Sequence, residues 1–364
     1  MGVGPRAVEG VVMKILVTGN QGYIGPGLGR HLRRALPDAR LIGFDTGYFA
    51  LAPTNAHMSP DRRYHVQIHA DARDIDASAL QGVDAVVALA AVSNDPMGAT
   101  YEAPTDAINR GAAVRLAELS AAAGVRHFVF ASSCSVYGFA PGAARKESDA
   151  LNPQTAYARS KIATEQALAQ MDLQGMTTTC LRFATACGMS ERLRLDLVLN
   201  DFVASAVATG EIVVLSDGSP WRPLIDVADM ARAIEWALTR EPDNGGARLN
   251  VNVGADRWNY QVKQLAHAVA AAVPGARVSI NQEAPPDTRS YKVDFRLFAE
   301  LAPDHQPQET LEGSIARLRE GLTEMGFADA EFRASPYMRL KMLEAHRKAG
   351  RLDGDLRWIW ERAP

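Results

Sequence analysis

Cysteine is scarce in this chain: Cys134, Cys180 and Cys187 are the only three in 364 residues, with no C-x-x-C pair among them. An odd number without partner spacing excludes a disulfide framework and a structural zinc site. A reducing cytoplasm is therefore expected, and no metal. Long apolar runs are lacking as well. No stretch approaches the roughly 20 residues that span a bilayer, and the start of the chain lacks a signal-peptide layout, so no membrane partner is expected. Nor is there an excess of one charge. Lys and Arg number 39 against 42 Asp and Glu, a formal net charge of -3, which gives no electrostatic footprint for nucleic acid.

What is present is the composition of an ordinary globular protein, 47% hydrophobic and 22% charged, long enough to bury a large core. Lys14-Ile15-Leu16-Val17 is a short apolar run ending in glycines, which reads as a buried parallel strand feeding a helix. Similar runs recur at 41–44, 65–69, 85–89, 127–131 and 177–181, separated by helix-like segments at 104–123 and 155–168 among others. This alternation predicts an α/β fold, a Rossmann-type doubly wound parallel sheet. The rhythm changes after Gly188, which predicts a smaller α/β substrate-binding cap interleaved with the sheet. The expected divisions are an extension at 1–12, with Met13 as an alternative start, a dinucleotide domain at 13–188, a cap at 189–330 with some segments returning to the sheet, and a helical tail at 331–364 that carries Trp358 and Trp360. Pro285, Pro286 and Asp287 mark a loop.

Thr18-Gly19-Asn20-Gln21-Gly22-Tyr23-Ile24-Gly25 joins the first strand to the first helix, where backbone amides can cradle a diphosphate. Gly19 permits the tight turn, Gly22 lets a phosphate approach, and Gly25 lets the helix pack closely. Asp45 closes the second strand 20 residues after Gly25. A carboxylate there accepts hydrogen bonds from the adenine ribose and repels a 2′-phosphate, which favours NAD over NADP. Without a ligand the same aspartate would simply form a strand-end turn before Thr46-Gly47.

Tyr157 and Lys161 stand four apart on a predicted helix, so they share a face. An ammonium beside a phenol lowers its pKa, and Tyr157 could then exchange a proton with a substrate hydroxyl. Ser132-Ser133-Cys134-Ser135 follows a predicted strand, at the edge where open α/β sheets bind ligands.

Together these motifs resemble the extended short-chain dehydrogenase/reductases, the NAD-dependent nucleotide-sugar epimerases and dehydratases, from Met13 to about Ala302. Asp71-Ala72-Arg73-Asp74, Leu89-Ala90-Ala91, Asn109, Leu181-Arg182-Phe183 and the segment from Arg222 to Asp229 add to the likeness. The resemblance implies NAD as cofactor and Ser133, Tyr157 and Lys161 as the catalytic residues. It implies a cofactor site formed by Gly19, Gln21, Gly22, Tyr23, Ile24, Gly25, Asp45, Asp71, Ala72, Leu89, Ala90, Ala91, Asn109, Tyr157 and Lys161. Ser93, Ser133, Asn200, Arg222 and Arg289 would contact a nucleotide-sugar substrate, with Asn200 and Arg222 at its diphosphate. A homodimer is implied, through a bundle of the 104–123 and 155–168 helices.

Departures from the pattern narrow the chemistry. The 4,6-dehydratases carry an Asp-Glu pair just after the catalytic Thr, and the 3,5-epimerases place a Cys two residues before the Tyr of that loop. Here Cys134 and Ser135 follow Ser133, so elimination lacks its acid and base. Oxidation at one carbinol carbon, most naturally C4, remains. Returning hydride to the opposite face gives an epimerase, whereas releasing the ketone gives a dehydrogenase. A short likeness around 182–202 points to dehydrogenases of GDP-linked heptoses. A NAD-binding regulatory protein without turnover is the rival from another class, but it has no need of Ser133, Tyr157 and Lys161 together.

Overall fold

The computed structural model describes residues 12–50, 54–284 and 290–359. Most of the expected extension, Arg289, the loop expected at Pro285, Pro286 and Asp287, and Trp360 lie outside the described residues.

Seven parallel strands form the central sheet: β1 (Lys14–Thr18), β2 (Arg40–Asp45), β3 (Val66–His69), β4 (Ala85–Ala88), β5 (His127–Ser133), β7 (Thr177–Phe183) and β11 (Arg248–Val253). Their order is β11-β7-β5-β4-β1-β2-β3. The order reverses between β1 and β4, and a reversal opens a crevice at the strand C-termini. Both faces are covered, as period-two burial shows. Ile15, Val17, Ala85 and Val87 pack with Leu28, Leu32, Ile234 and Ala237 on one side. Leu16, Val86 and Ala88 pack with Leu116, Ala117 and Leu168 on the other. Strands buried twice read as unbroken apolar runs, which explains Lys14-Ile15-Leu16-Val17.

The helix expected over 104–123 is built in three pieces, Glu102–Asp106, a wider π turn at Ala107–Ala112 and Ala113–Ala122. The helix Ala156–Gln170 is capped by Thr155, whose hydroxyl accepts from the Ala158 amide at 3.1 Å. Three small sheets build the rest: β6 (Ala140–Arg145) with β14 (Tyr291–Val293), β9 (Glu211–Val214) with β13 (Arg277–Ile280), and β8 (Thr185–Cys187) with β10 (Trp221–Asp226) and β12 (Asn259–Gln261). A separate apolar cluster holds this part together, with Leu195, Leu199, Phe202, Trp258, Leu265 and Leu318 in it.

The final segment folds back on the dinucleotide half. Its helix Arg339–Lys348 and the turn after it bury Leu343, Leu352 and Leu356 against Tyr48, Val92 and Tyr101. Trp358 Nε1 donates to the Thr46 carbonyl at 2.6 Å, and the Tyr48 hydroxyl donates to the Leu356 carbonyl. Among the described residues no helix is long and apolar enough to cross a membrane, and no His, Cys, Asp and Glu cluster could hold a metal ion.

Candidate active site

A cavity of about 1120 Å³ follows the C-terminal edge of the sheet from Asp45 to Tyr157 and on to Arg222. That exceeds the roughly 300–1,000 Å³ of an ordinary small-molecule pocket. It has room for two ligands end to end.

The glycine loop forms its floor. Gly19 has φ +74°, and a Cβ there would lie 2.5 Å from the Ala90 nitrogen; a Cβ on Gly25 would lie 1.8 Å from the Asn20 carbonyl. Both positions need glycine so that the loop can fold against β4 and the helix can start. That helix, Gly25–Ala35, has no acidic residue in its first turn and no side-chain cap. Its positive dipole end points to the loop before it, where Gly22, Tyr23 and Ile24 line the cavity; the Gly22 amide already donates to the Gly19 carbonyl at 3.0 Å, which leaves the Tyr23 and Ile24 amides for a ligand. This donor set fits a dinucleotide diphosphate.

Asp45 lines the cavity at the end of β2. The Gln21 amide donates to it at 3.0 Å and the Gly47 amide at 2.7 Å. Burial pushes its carboxyl up from the ordinary range against those two bonds. Asp71, Ala72, Leu89, Ala90 and Ala91 also line the cavity. Asp71 is gripped by Arg73, at 2.9 Å to Nε and 2.5 Å to Nη2, so its carboxylate is already paired and held below the usual range by that guanidinium despite burial. Three residues expected at the cofactor stand behind the wall. Gln21 turns its side chain to Asp61 at 3.0 Å, Gly25 meets Asn20, and Asn109 is wholly buried. Asn109 accepts from the Val92 amide at 2.8 Å and donates to Ser160 Oγ at 3.1 Å, which ties the loop after β4 to the helix carrying Tyr157.

Ser133, at the end of β5, and Tyr157 both line the cavity, and the Ser133 hydroxyl lowers the proton affinity of the Tyr157 phenol. Ser133 also accepts from the Ser135 amide at 3.1 Å. Lys161 lies one helical turn beyond Tyr157, with Nζ 2.7 Å from the Ala131 carbonyl and 5.5 Å from the centre of the Tyr157 ring. The expected depression of the Tyr157 phenol by Lys161 is not what this geometry gives. Burial pushes the phenol up to about 12, and the opposing pull comes from the Ser133 hydroxyl and then the charge of Arg194. Lys161 itself is pushed down to about 8 by burial.

Cys134 points away from the cavity and donates to the Arg182 carbonyl at 3.0 Å, fully buried. Ser135 does line the cavity, and its buried hydroxyl has no hydrogen-bond partner among the described residues. Ser93 and Arg222 are on the wall, but Asn200 is not. Its side chain is used up inside the cap, accepting from the Gly188 amide at 3.0 Å and donating to the Arg194 carbonyl at 3.0 Å. A direct diphosphate contact from Asn200 is therefore not formed in this arrangement; the residue shapes the turn that presents Arg194.

Two buried cavity residues escaped the sequence reading. Arg194 is held by Asp196 at 2.6 Å and donates to Ser93 Oγ at 2.9 Å. Charged and apolar residues alternate through Arg192-Leu193-Arg194-Leu195-Asp196, but the segment is a turn with both kinds of residue buried, so that pattern alone does not mark Arg194 as a cavity residue. Arg339 comes from the tail and had no local signal at all.

The family described as "NAD dependent epimerase/dehydratase family" matches residues 15–254, the stretch that contains the glycine loop, Asp45, Ser133, Tyr157 and Lys161. The chain belongs to this family. It is an NAD-dependent enzyme with the Rossmann-type fold just described. Among its relatives is an uncharacterized UDP-glucose epimerase, YtcB, of Bacillus subtilis, 31% identical over 257 residues, covering 67% of this chain and 78% of the relative. A UDP-glucose 4-epimerase of Mycolicibacterium smegmatis is 29% identical over 314 residues, covering 84% and 97%. In fold the chain is similar to the NAD-dependent NDP-hexosamine 5,6-dehydratase TunA, with a TM-score of 0.73, 22% identity, and 88% and 99% of the two chains covered.

Proposed function

We propose that the enzyme oxidises and re-reduces one carbinol carbon, C4, of a nucleotide-activated sugar, and so acts as a 4-epimerase. The carrying observation is the convergence of Ser133, Tyr157 and Lys161 at one end of a cavity whose other end is the glycine loop and Asp45. Bound NAD supplies the hydride acceptor and donor. Tyr157 takes the proton from the sugar hydroxyl as the carbon is oxidised and gives it back after the ketone has turned its other face. Ser133 donates to the reacting oxygen and, with the charge of Arg194, favours the phenolate, and the Lys161 ammonium, fixed by Ala131, holds the nicotinamide ribose. Arg222 chelates a substrate phosphate.

The relatives named as UDP-glucose epimerases favour a UDP-hexose as substrate. The turned-away Cys134 speaks against thiol-dependent epimerisation at C3 or C5, because a buried thiol bonded to a main-chain carbonyl cannot reach a sugar carbon. Three reduced, buried thiols agree with a cytoplasmic location. A homodimer joined through the 104–123 and 155–168 helices completes the reading, and light scattering at twice 39.3 kDa tests it.

The deciding experiment incubates the protein with UDP-, GDP-, dTDP- and CDP-sugars, follows products by NMR and reads NADH absorbance. A 4-epimer without net NADH supports the proposal. Stoichiometric NADH with a ketone makes the protein a dehydrogenase instead, and turnover of no sugar despite cofactor binding leaves a binding protein.

A further inference from the structure

Three arginines from two distant parts of the chain, Arg192 and Arg194 on one segment and Arg339 in the tail, converge beside the glycine loop, each at most 5% exposed. Arg192 has Asp61 as counter-ion at 3.1 Å, and Arg194 has Asp196 at 2.6 Å. Arg339 has no carboxylate within ion-pair distance among the described residues. Its Nη2 donates to the Arg192 carbonyl at 2.6 Å, and its guanidinium lies 4.2 Å from the centre of the Phe49 ring. Burial, with repulsion from Arg194, pushes it down to about 9. A guanidinium kept out of water without a counter-ion is costly unless an anion arrives to meet it. Arg339 and Arg194 both line the cavity, next to Tyr23 and Phe49 and facing the half that ends in Asp45.

We infer that Arg339, with Arg194 beside it, forms a cationic clamp for the diphosphate of the bound dinucleotide, reaching it from the C-terminal segment while the Tyr23 and Ile24 amides reach it from the glycine loop. Phosphate oxygens have two faces to satisfy, and the loop amides reach only one. A planar fork can hold two oxygens at once, which a lysine cannot copy. The placement of Arg339 on Phe49, just past β2, assigns it to the cofactor and not to the substrate, whose diphosphate belongs near Arg222 across the cavity. The clamp is carried by a segment already anchored over the adenosine end. Arg73 Nη1 donates to the Asp355 carbonyl at 2.6 Å, and His346 Nε2 is 3.0 Å from the Tyr48 carbonyl. Filling the diphosphate site therefore also fastens the tail. The inference concerns the grip on the cofactor and holds whichever sugar carbon reacts.

Calorimetric titration of the full chain with NAD, ADP and adenosine tests it, using Arg339→Met and Arg339→Lys. Arg339→Met weakens NAD and ADP by about tenfold or more, the scale of one lost charge-assisted bond. Adenosine binding stays within twofold, and Arg339→Lys recovers only part of the loss. The KM for the nucleotide sugar at saturating NAD is unchanged. Unaltered NAD and ADP affinity overturns the inference. So does an equal loss for adenosine, which marks a packing effect, or a loss confined to the sugar's KM, which assigns the clamp to the substrate's diphosphate. Hydrogen exchange on the unsubstituted chain serves if Arg339→Met fails to fold. ADP slows exchange over 339–348 more than adenosine does, and equal rates with the two ligands overturn the clamp.

Discussion

Lys161 donates from Nζ to the carbonyl oxygen of Ala131, 2.7 Å away on the strand that ends in Ser133. The bond ties the helix that carries Tyr157 to the strand that carries Ser133. It also places an ammonium where burial disfavours charge, and the cost of that placement is measurable.

Lys161→Met is expected to abolish turnover and raise thermal stability at neutral pH. The lysine titrates near 8 in the folded protein and near 10.5 when free. Below pH 8 both states are protonated and the full penalty acts, up to about 3 kcal/mol. Between the two values only the unfolded chain keeps the proton, so wild-type stability gains with rising pH and the variant's advantage shrinks. Melting curves from pH 6 to 10 check this; a variant less stable than wild type at pH 7 contradicts it.

Tyr157→Phe keeps the ring and removes the proton carrier. Turnover should fall by roughly 10²–10⁴-fold, while NAD affinity measured by calorimetry changes little. Near-normal turnover with a verified sugar would remove Tyr157 as the acid and base.

Ser133→Ala deletes the strongest influence that lowers the Tyr157 phenol. The phenol then rises further above its ordinary value, so the ascending limb of kcat/KM against pH moves to higher pH. Turnover at neutral pH should fall by about 10²-fold, as when one donor to a reacting oxygen is lost. A profile that drops without shifting means that Ser133 acts on the substrate alone.

Cys134→Ala should leave turnover within twofold, because the thiol faces the Arg182 carbonyl and not the cavity. Steady-state kinetics on the preferred sugar decide it, and a loss of tenfold or more would revive a thiol acid.

The buried pair Glu165 and Arg182, 2.7 Å apart, joins the helix that carries Tyr157 to the neighbouring strand β7. Ser132 Oγ also donates to Glu165, at 2.5 Å. Glu165→Leu strands a buried guanidinium and should cost about 3–5 kcal/mol, whereas adding Arg182→Met should recover much of that. Urea melts of the single and double variants make the comparison.

The sequence by itself determined the features that depend on neighbours in the chain. The glycine loop and strand β1 are contiguous, Tyr157 and Lys161 share a face because a helix repeats every 3.6 residues, and Asp45 ends a strand whose apolar run is visible in print. The family followed from these local patterns. Only the tertiary structure decided what comes together from afar. Nothing near residue 339 announces an arginine that would stand beside Tyr23 and Phe49, and nothing near residue 200 tells that the Asn200 amide is consumed by Gly188 and Arg194. The state of Tyr157 belongs to the same class. Four-residue spacing placed Lys161 beside it, but the phenol's proton affinity is set by burial and by Ser133 and Arg194, groups that the chain delivers from 24 and 37 residues away. Local geometry fixes which side chains share an element; desolvation and long-range charge depend on how the elements pack.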